Sequence, residues 1–503
     1  MRKLLPAISM ATRTATRLSH LHNADRKGVF MLFCSKRGAR DSGCNRTISR
    51  SFMVLLLSLL TASSYAQTDP GVRGGAPGAG RPFAGGLTAG DLAFFNNVGV
   101  PQFTQVEHVD DGLGPRFNLD SCAGCHVFPE IGGSSPLRNN PQVVRAPSMA
   151  PGSTVPSFLD IDGPIREVRF IRTTNGILAR KIRPSSEKDE NEESIRKPNK
   201  PDGGVHAIFT IVGRTDNPAG CKISQPNFSD TSNMVFRIPT PVFGLGLIES
   251  ITDATIKNNL ASDPTGLKRF LGIKGHVNTT GNDGTVTRFG WKAQNKSLLL
   301  FAGEAYNVEM GITNEIFPNE REEDSKCSTN ALAENRTGFD NENEPADIVA
   351  FMGFMRFLDQ PTPACGVPGQ PACSPSIDNG RKLFGMVGCA ACHTPSLTTG
   401  LSPVEALNQK QVNLFSDLAV HHMGFGLADQ ITQGDAGPDE FRTAPLWGIG
   451  QRAFFLHDGR TDDLLKAIHA HDSPGSEASR VIDNFQKLNS SQKQDILNFL
   501  RSR

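Results

Sequence analysis

The sequence predicts a mainly α-helical fold built as two related modules, the first carrying a large insertion with some β-structure. Three observations predict it. The pattern C-x-x-C-H occurs twice, from Cys122 to His126 and from Cys389 to His393. Helical apolar periodicity marks "PADIVAFMGFMRFLDQ" and the closing "SSQKQDILNFLRSR", where Ile496, Leu497, Phe499 and Leu500 share one face. Between the two copies lie alternating, strand-like runs, "IREVRFIRT" and "GVHAIFTIVGR".

Residues 1–66 read as a leader. Arg46 and Arg50 precede the apolar run "FMVLLLSLLTA", and Ser64 and Ala66 supply small residues at cleavage spacing before Gln67. That run is too short to span a bilayer. The basic stretch ahead of it is long for an export signal. An over-extended reading frame, with the start at Met31 or Met53, accounts for it; a mitochondrial presequence is the competing account. Residues 67–88 are rich in Gly and Pro and read as a flexible linker. Residues 89–348 form the N-terminal module with its insertion, which includes the charged run "SSEKDENEESIRKPNKPDGG", expected as a solvated loop. Residues 349–374 read as a linker with the Cys365/Cys373 loop, and 375–503 as the C-terminal module. Each motif is approached by a phenylalanine, Phe117 and Phe384.

A chain of 503 residues has room for two or three domains. A formal net charge of +1 argues against a nucleic-acid surface or an acidic tail. No other apolar run is long enough to cross a membrane, so the mature chain is expected to be soluble and exported to an oxidising compartment, a Gram-negative periplasm. Of ten cysteines, Cys34 and Cys44 fall in the leader and four in the motifs. Cys221, Cys327, Cys365 and Cys373 remain for two disulfides. A Cys365–Cys373 bridge would close the "CGVPGQPAC" loop and leave Cys221 for Cys327, but three pairings are open.

C-x-x-C-H has a direct chemical rationale. Two thioethers anchor the vinyl groups of a haem, and the adjacent histidine becomes the proximal ligand of its iron. A zinc site needs four ligands from two such pairs brought together, and a redox dithiol needs no histidine in that place. The wide separation, the histidine in both copies and the export signal favour two covalent haem c groups. Cys122, Cys125, Cys389 and Cys392 then hold the cofactors, and His126 and His393 are the metal ligands.

The sixth iron position decides what such a protein does: two strong protein ligands favour electron transfer, an open face favours binding of a small oxidant. Near the second motif the candidates are His421, His422, Met423, His457, His469 and His471. "RTDDLLKAIHAH" reads as a helix with Thr461 as N-cap. His471 follows Leu464 by seven and Ile468 by three, near the inward face, with His469 slightly further round. No histidine lies between His126 and His206, so a close partner for the first haem is missing on that side; His108, His206 and His276 are the distant ones. The first haem is therefore expected to be open.

From about Asp91 to Leu500 the chain resembles the di-haem oxidoreductase (thiol oxidoreductase-like) family of the bacterial di-haem cytochrome c peroxidase superfamily. The blocks that carry the likeness include "RFNLDSCAGCHVFPEIGGSS", "PTPVFGLGLIESI", "TRFGWKA", "EMGIT", "LFGMVGCAACHTPSL", "SDLAVHHMGFGLAD", "EFRTAPLWGIG" and "FFLHDGR". The resemblance implies two cytochrome-c-like domains whose haems face one another. It implies His471 as distal ligand of the second haem, where relatives carry methionine, tyrosine or histidine. It implies Trp291 between the haems and Glu309 as distal acid–base, with Lys292 in place of the usual arginine and Glu304 as the alternative acid. His421 and His457 would organise the surroundings without ligating; nothing follows from His422, which stands where relatives often have aspartate.

The expected function is that of a haem-dependent oxidoreductase, a peroxidase reducing hydrogen peroxide at the first haem. The second, bis-histidine haem would relay electrons from a periplasmic donor such as a small cytochrome or copper protein. Two other classes stay open: a pure electron-transfer cytochrome with both irons closed, and an oxygenase or oxidase of an organic or protein substrate.

Overall fold

Serines open two of the long helices and glycines close both. Ser297 accepts a hydrogen bond from the Leu300 amide to start Leu298–Met310, which ends at Gly311 with φ +74°. Ser374 and Pro375 open Pro375–Val387, which ends at Gly388 with φ +109°. Gly388 is needed twice over: a Cβ there would also lie 2.6 Å from Leu271 Cδ1. That turn delivers the chain directly into Cys389. A capping box of Asn489 and Gln492 starts the last helix, Ser490–Arg501, which buries Ile496, Leu497, Phe499 and Leu500 as expected.

This computed structural model describes residues 67–75, 77–172, 205–319, 326–327, 339–340 and 344–503. Residues 1–66, read from the sequence as a leader, and the charged run lie outside the described residues. The fold is mixed, not mainly helical. The helices are accompanied by five small antiparallel sheets among the described residues. Glu167–Phe170 pairs with Val205–His206 on one edge and Met234–Arg237 on the other, so both strand-like runs are strands. Arg116–Phe117 pairs with Phe209–Thr210 and brings the first motif against the insertion. β-Structure also occurs after the second motif: Leu397–Thr398 pairs with Gln411–Val412, and Val420–His422 with Glu440–Arg442. Frequent Gly and Pro interrupt both kinds of element, which keeps them short.

Two main clusters of buried side chains carry the core. One contains Phe117, Leu119, Phe209, Leu298 and Phe354, near the first motif. The other contains Phe384, Phe415, Phe485 and Phe499, near the second. The described residues nevertheless belong to one compact unit. The first third of the stretch expected as a linker, 349–374, belongs to the helix Asp347–Phe357. That helix buries Ile348, Phe351, Phe354 and Met355 in the first cluster. The segment 67–88, expected to be flexible, is a strap laid on the body. The Asp69 carboxylate pairs with Arg501 at 2.6 Å and accepts from the Leu464 amide at 2.7 Å. The Arg73 amide donates to Gly450 O, and Phe83 N–H to Phe357 O. A Gly/Pro-rich chain makes few internal hydrogen bonds, so its backbone groups remain available to its neighbours.

Cys221–Cys327 and Cys365–Cys373 are disulfides, one of the three pairings open to the sequence. Among the described residues, no helix is long and apolar enough to cross a membrane.

Candidate functional site

The first motif forms one wall of a cavity of about 1150 Å³, its mouth included. Cys122–Cys125 is a single helical turn, and His126 follows it with its imidazole buried. His126 Nδ1 bonds the Gly133 carbonyl at 3.0 Å. The opposite wall is the helix Leu298–Met310, which contributes Ala302, Glu304, Tyr306 and Glu309. Glu304 accepts from Gln294 Nε2 at 3.2 Å and more closely from Asn295 Nδ2. The Glu309 carboxyl makes no side-chain hydrogen bond or ion pair among the described residues. Burial, then the negative charges of Glu167 and Glu304, push its pKa up to about 8, against the pull of Arg169. It is therefore a carboxyl poised near neutrality, whereas Glu304 is tied to its neighbours.

The second motif lines a larger cavity, about 1450 Å³ with its mouth. His393 Nδ1 bonds the Phe415 carbonyl at 3.0 Å. Across the cavity, His471 Nδ1 bonds the Ala467 carbonyl at 2.8 Å. In both rings the Nδ1 proton is thereby committed to a carbonyl, and Nε2 keeps its lone pair. Burial first, and then the facing His471, hold His393 neutral with a pKa near 4. The helix here is shorter than expected, Leu464–His469, with Asp463 as N-cap instead of Thr461. His471 leaves the turn after the helix, and that turn aims it inward. His469 packs edge-on against Phe485, 5.8 Å away.

Trp291 is the one described residue that lines both cavities. Its indole N–H donates to Ile238 O at 3.0 Å, and the Arg452 guanidinium lies 5.6 Å from its ring centre. Lys292 points elsewhere. It lines neither cavity. It is fully buried 3.0 Å from Asp429, donates to the Gly437 and Glu440 carbonyls, and stands 4.2 Å above the Phe441 ring. The structure thus brings Trp291 and Glu309 to the first cavity and leaves Lys292 out of it, in a buried ion network that also holds Arg237.

The other histidines are accounted for. His421 is gripped at Nε2 by Asp417 (3.0 Å) and at Nδ1 by Glu477 (2.9 Å). Burial opposes its charge, but Cys392, Asp417 and Glu477 around it hold its pKa well up. Cys392, Asp417 and His421 bring possible metal-ligand atoms within 4.8 Å of one another, yet both ring nitrogens of His421 already have partners. His457 stacks on Phe441 at 4.2 Å, and burial lowers its pKa to about 4. His422 faces Asp439 and Glu440 at the surface. His108 lies 3.6 Å from Asp216 and His276 2.8 Å from Glu440, while His206 packs against Phe170 and Phe228. None of these last three lines the first cavity.

Sequence reasoning passed over several residues. Phe103 tilts against His126 at 6.1 Å and 60°, as Phe384 tilts against His393 at 6.2 Å and 55°. The partner of Phe384 is therefore Phe103; Phe117 packs on Phe209 instead. Arg442 and Arg452 line the second cavity beside Trp291. Arg452 Nε and Nη2 are buried without a hydrogen-bond partner among the described residues. Both arginines lie in or just after the quoted block "EFRTAPLWGIG", where nothing in local spacing sets an arginine apart from a surface cation.

The structure thus has two cavities, each walled by a Cys-Cys-His set, that share the indole of Trp291. Residues 199–503 match the family described as "Di-haem oxidoreductase, putative peroxidase", and the chain belongs to that family. It is an oxidoreductase, and the family implies two haem groups. The matched span contains Trp291, Glu309, the second motif and His471; the first motif lies upstream of it. No curated protein matches the chain. Among solved structures, a chain from "Kuenenia stuttgartiensis Hydrazine Synthase Pressurized with 20 bar Xenon" is 13% identical over 57% of this chain and 97% of that one. Its TM-score of 0.24 is too low to support an argument from that likeness.

The residues present fit haem. Three buried imidazoles line the two cavities, each with its Nδ1 bonded to a backbone carbonyl. Two pairs of unbridged cysteines stand beside two of them. The buried guanidinium of Arg452 adds positive charge to the lining of the second cavity and could pair with the carboxylates of a haem there, and Arg166, Arg169 and Arg237 line the first. All four thiols are pushed up by burial, Cys389 to about 12, the reverse of what an attacking dithiol requires. The two C-x-x-C pairs line different cavities, so they do not converge on one four-cysteine zinc site.

Proposed function

We propose that this chain is an exported di-haem c-type peroxidase. The observation that carries the reading is the asymmetry of the two cavities. Opposite His393 stands a second imidazole, His471; opposite His126 stands an unpaired carboxyl, Glu309. In the periplasm, Cys122 and Cys125, and likewise Cys389 and Cys392, would form the thioethers. Residues 89–348 and 375–503 would serve as two haem domains meeting at Trp291. His126, His393 and His471 would ligate iron.

When bound, the haems supply iron that exchanges electrons and, where a coordination position is free, takes up a peroxide. The rest of the work falls to side chains. Glu309 takes a proton from the inner oxygen of hydrogen peroxide and returns it to the departing outer oxygen. Two electrons and two further protons complete the conversion to two waters. Arg442 and Arg452, which line the second cavity, would hold the carboxylates of the haem bound there, and Trp291 would be the side chain an electron crosses between the cavities. A small cytochrome or copper protein is the donor.

Optical and electron paramagnetic resonance spectra of the purified holoprotein, with and without peroxide or cyanide, test the reading. The expected result is one low-spin and one high-spin centre, the latter alone responding to the added ligand. Two low-spin centres that both ignore it would make the chain an electron-transfer protein. Turnover of an organic or protein substrate with dioxygen, without peroxidase activity, would make it an oxygenase or oxidase.

A further inference from the structure

The wall of the first cavity contains a second proton-handling group that the peroxidase reading does not use. Tyr306 lies on the helix Leu298–Met310, three residues before Glu309, and its ring is almost wholly buried, edge-on to Phe351 at 5.0 Å. The ring lines the cavity. The hydroxyl bonds residues that do not line it, donating to Asp347 Oδ2 at 2.8 Å, with Glu107 Oε1 3.3 Å away. Glu107 is itself buried, reached by Gln105 Nε2 at 3.2 Å. Two carboxylates gathered around one phenol in a dry region oppose each other; burial and then Asp347 raise the Glu107 pKa to about 8. A structural anchor would need one acceptor. A phenol with a carboxylate in hydrogen-bond reach on one side and an oxidising cavity on the other has what reversible oxidation requires: the proton can leave when the electron does.

We propose that Tyr306 is a redox-active tyrosine. This rests on the reading that hydrogen peroxide is reduced in the first cavity. The phenol gives one electron to the oxidising equivalent that peroxide leaves there, its O–H bond breaks, and the proton passes to Asp347, leaving a neutral tyrosyl radical. One electron from the donor side, with return of the proton, restores the phenol. Tyr306 thereby stores one of the two oxidising equivalents in the protein until the reductant arrives.

The sequence makes the test unusually clean, because the chain has two tyrosines and the other, Tyr65, lies in the leader. The holoprotein is mixed with hydrogen peroxide, frozen within milliseconds and examined by electron paramagnetic resonance. The expected result is a free-radical signal that narrows when the protein is made with ring-deuterated tyrosine. It should vanish in Tyr306→Phe and fall severalfold in Asp347→Asn. If Tyr306→Phe does not load haem, the deuterated natural chain decides alone. Peroxide consumption without a deuterium-sensitive radical, or a radical lost in Trp291→Phe but kept in Tyr306→Phe, overturns the proposal and leaves the peroxidase reading standing. No consumption of peroxide and no change in the high-spin signal overturns both.

Discussion

Glu309 lines the first cavity and His471 the second, and their chemistry differs in kind. A carboxyl with a pKa near 8 is neutral over most of the acid range and ionises as pH rises toward that value. It must be ionised to accept the proton of peroxide. Peroxide consumption should therefore climb with pH through about 8. Glu309→Gln should flatten the profile and lower kcat/KM about a hundredfold or more, with haem spectra unchanged. His471→Met should leave the second haem low-spin but raise its reduction potential, since thioether sulfur favours the reduced iron; spectroelectrochemical titration reads the shift. Both residues stood out in the sequence for family reasons. Lys292 did too, and its environment shows why adjacency misleads. Two residues after Trp291 the backbone turns with φ +52° at Ala293, and the Lys292 side chain is directed to Asp429, away from the cavity.

At the scale of elements, the second module depends on the contact between Pro375–Val387 and Ser490–Arg501. A Cβ at Gly380 would lie 1.9 Å from the Asp495 carbonyl oxygen, which is backbone and cannot swing aside. Gly380→Ala should cost about 1–3 kcal/mol by forcing the helices apart. Chemical denaturation followed by the Soret band of the second haem would measure it. The apolar face of the last helix was legible because four neighbouring apolar residues at helical spacing have few other solutions. The turn holding His471 was less so. A six-residue helix gives too few repeats to fix a phase, and the N-cap moved from Thr461 to Asp463 because Asp463 can reach the Lys466 amide. The strap 67–88 could not be read at all from composition, since its order comes from partners such as Arg501, more than four hundred residues away in the chain.

Across the whole molecule, Cys221–Cys327 closes a loop spanning 106 positions that contains Trp291 and Glu309. The double variant Cys221→Ser/Cys327→Ser should lose about 2–5 kcal/mol of unfolding free energy. Comparison of thermal unfolding with the natural chain tests this. A second global property follows from two buried carboxyls. Glu107 and Glu309 have pKa values near 8 in the fold against 4.5 for an ordinary glutamic acid. Both bind their protons more tightly folded than unfolded. Their stabilising contribution is thus complete below about 4.5 and is lost as pH rises toward 8. Glu107→Gln should flatten that decline in denaturant midpoints measured across the interval.

The sequence by itself showed which cysteines and histidines stand together, and that there are two such sets. That information is local, because C-x-x-C-H places its ligands within a single turn of chain. Only the tertiary structure decided what faces each set. The imidazole across from His393, the carboxyl across from His126, the indole shared between them and the buried guanidinium of Arg452 come from segments scores of residues apart. Their meeting is governed by packing and by burial of charge, neither of which leaves a mark in local spacing.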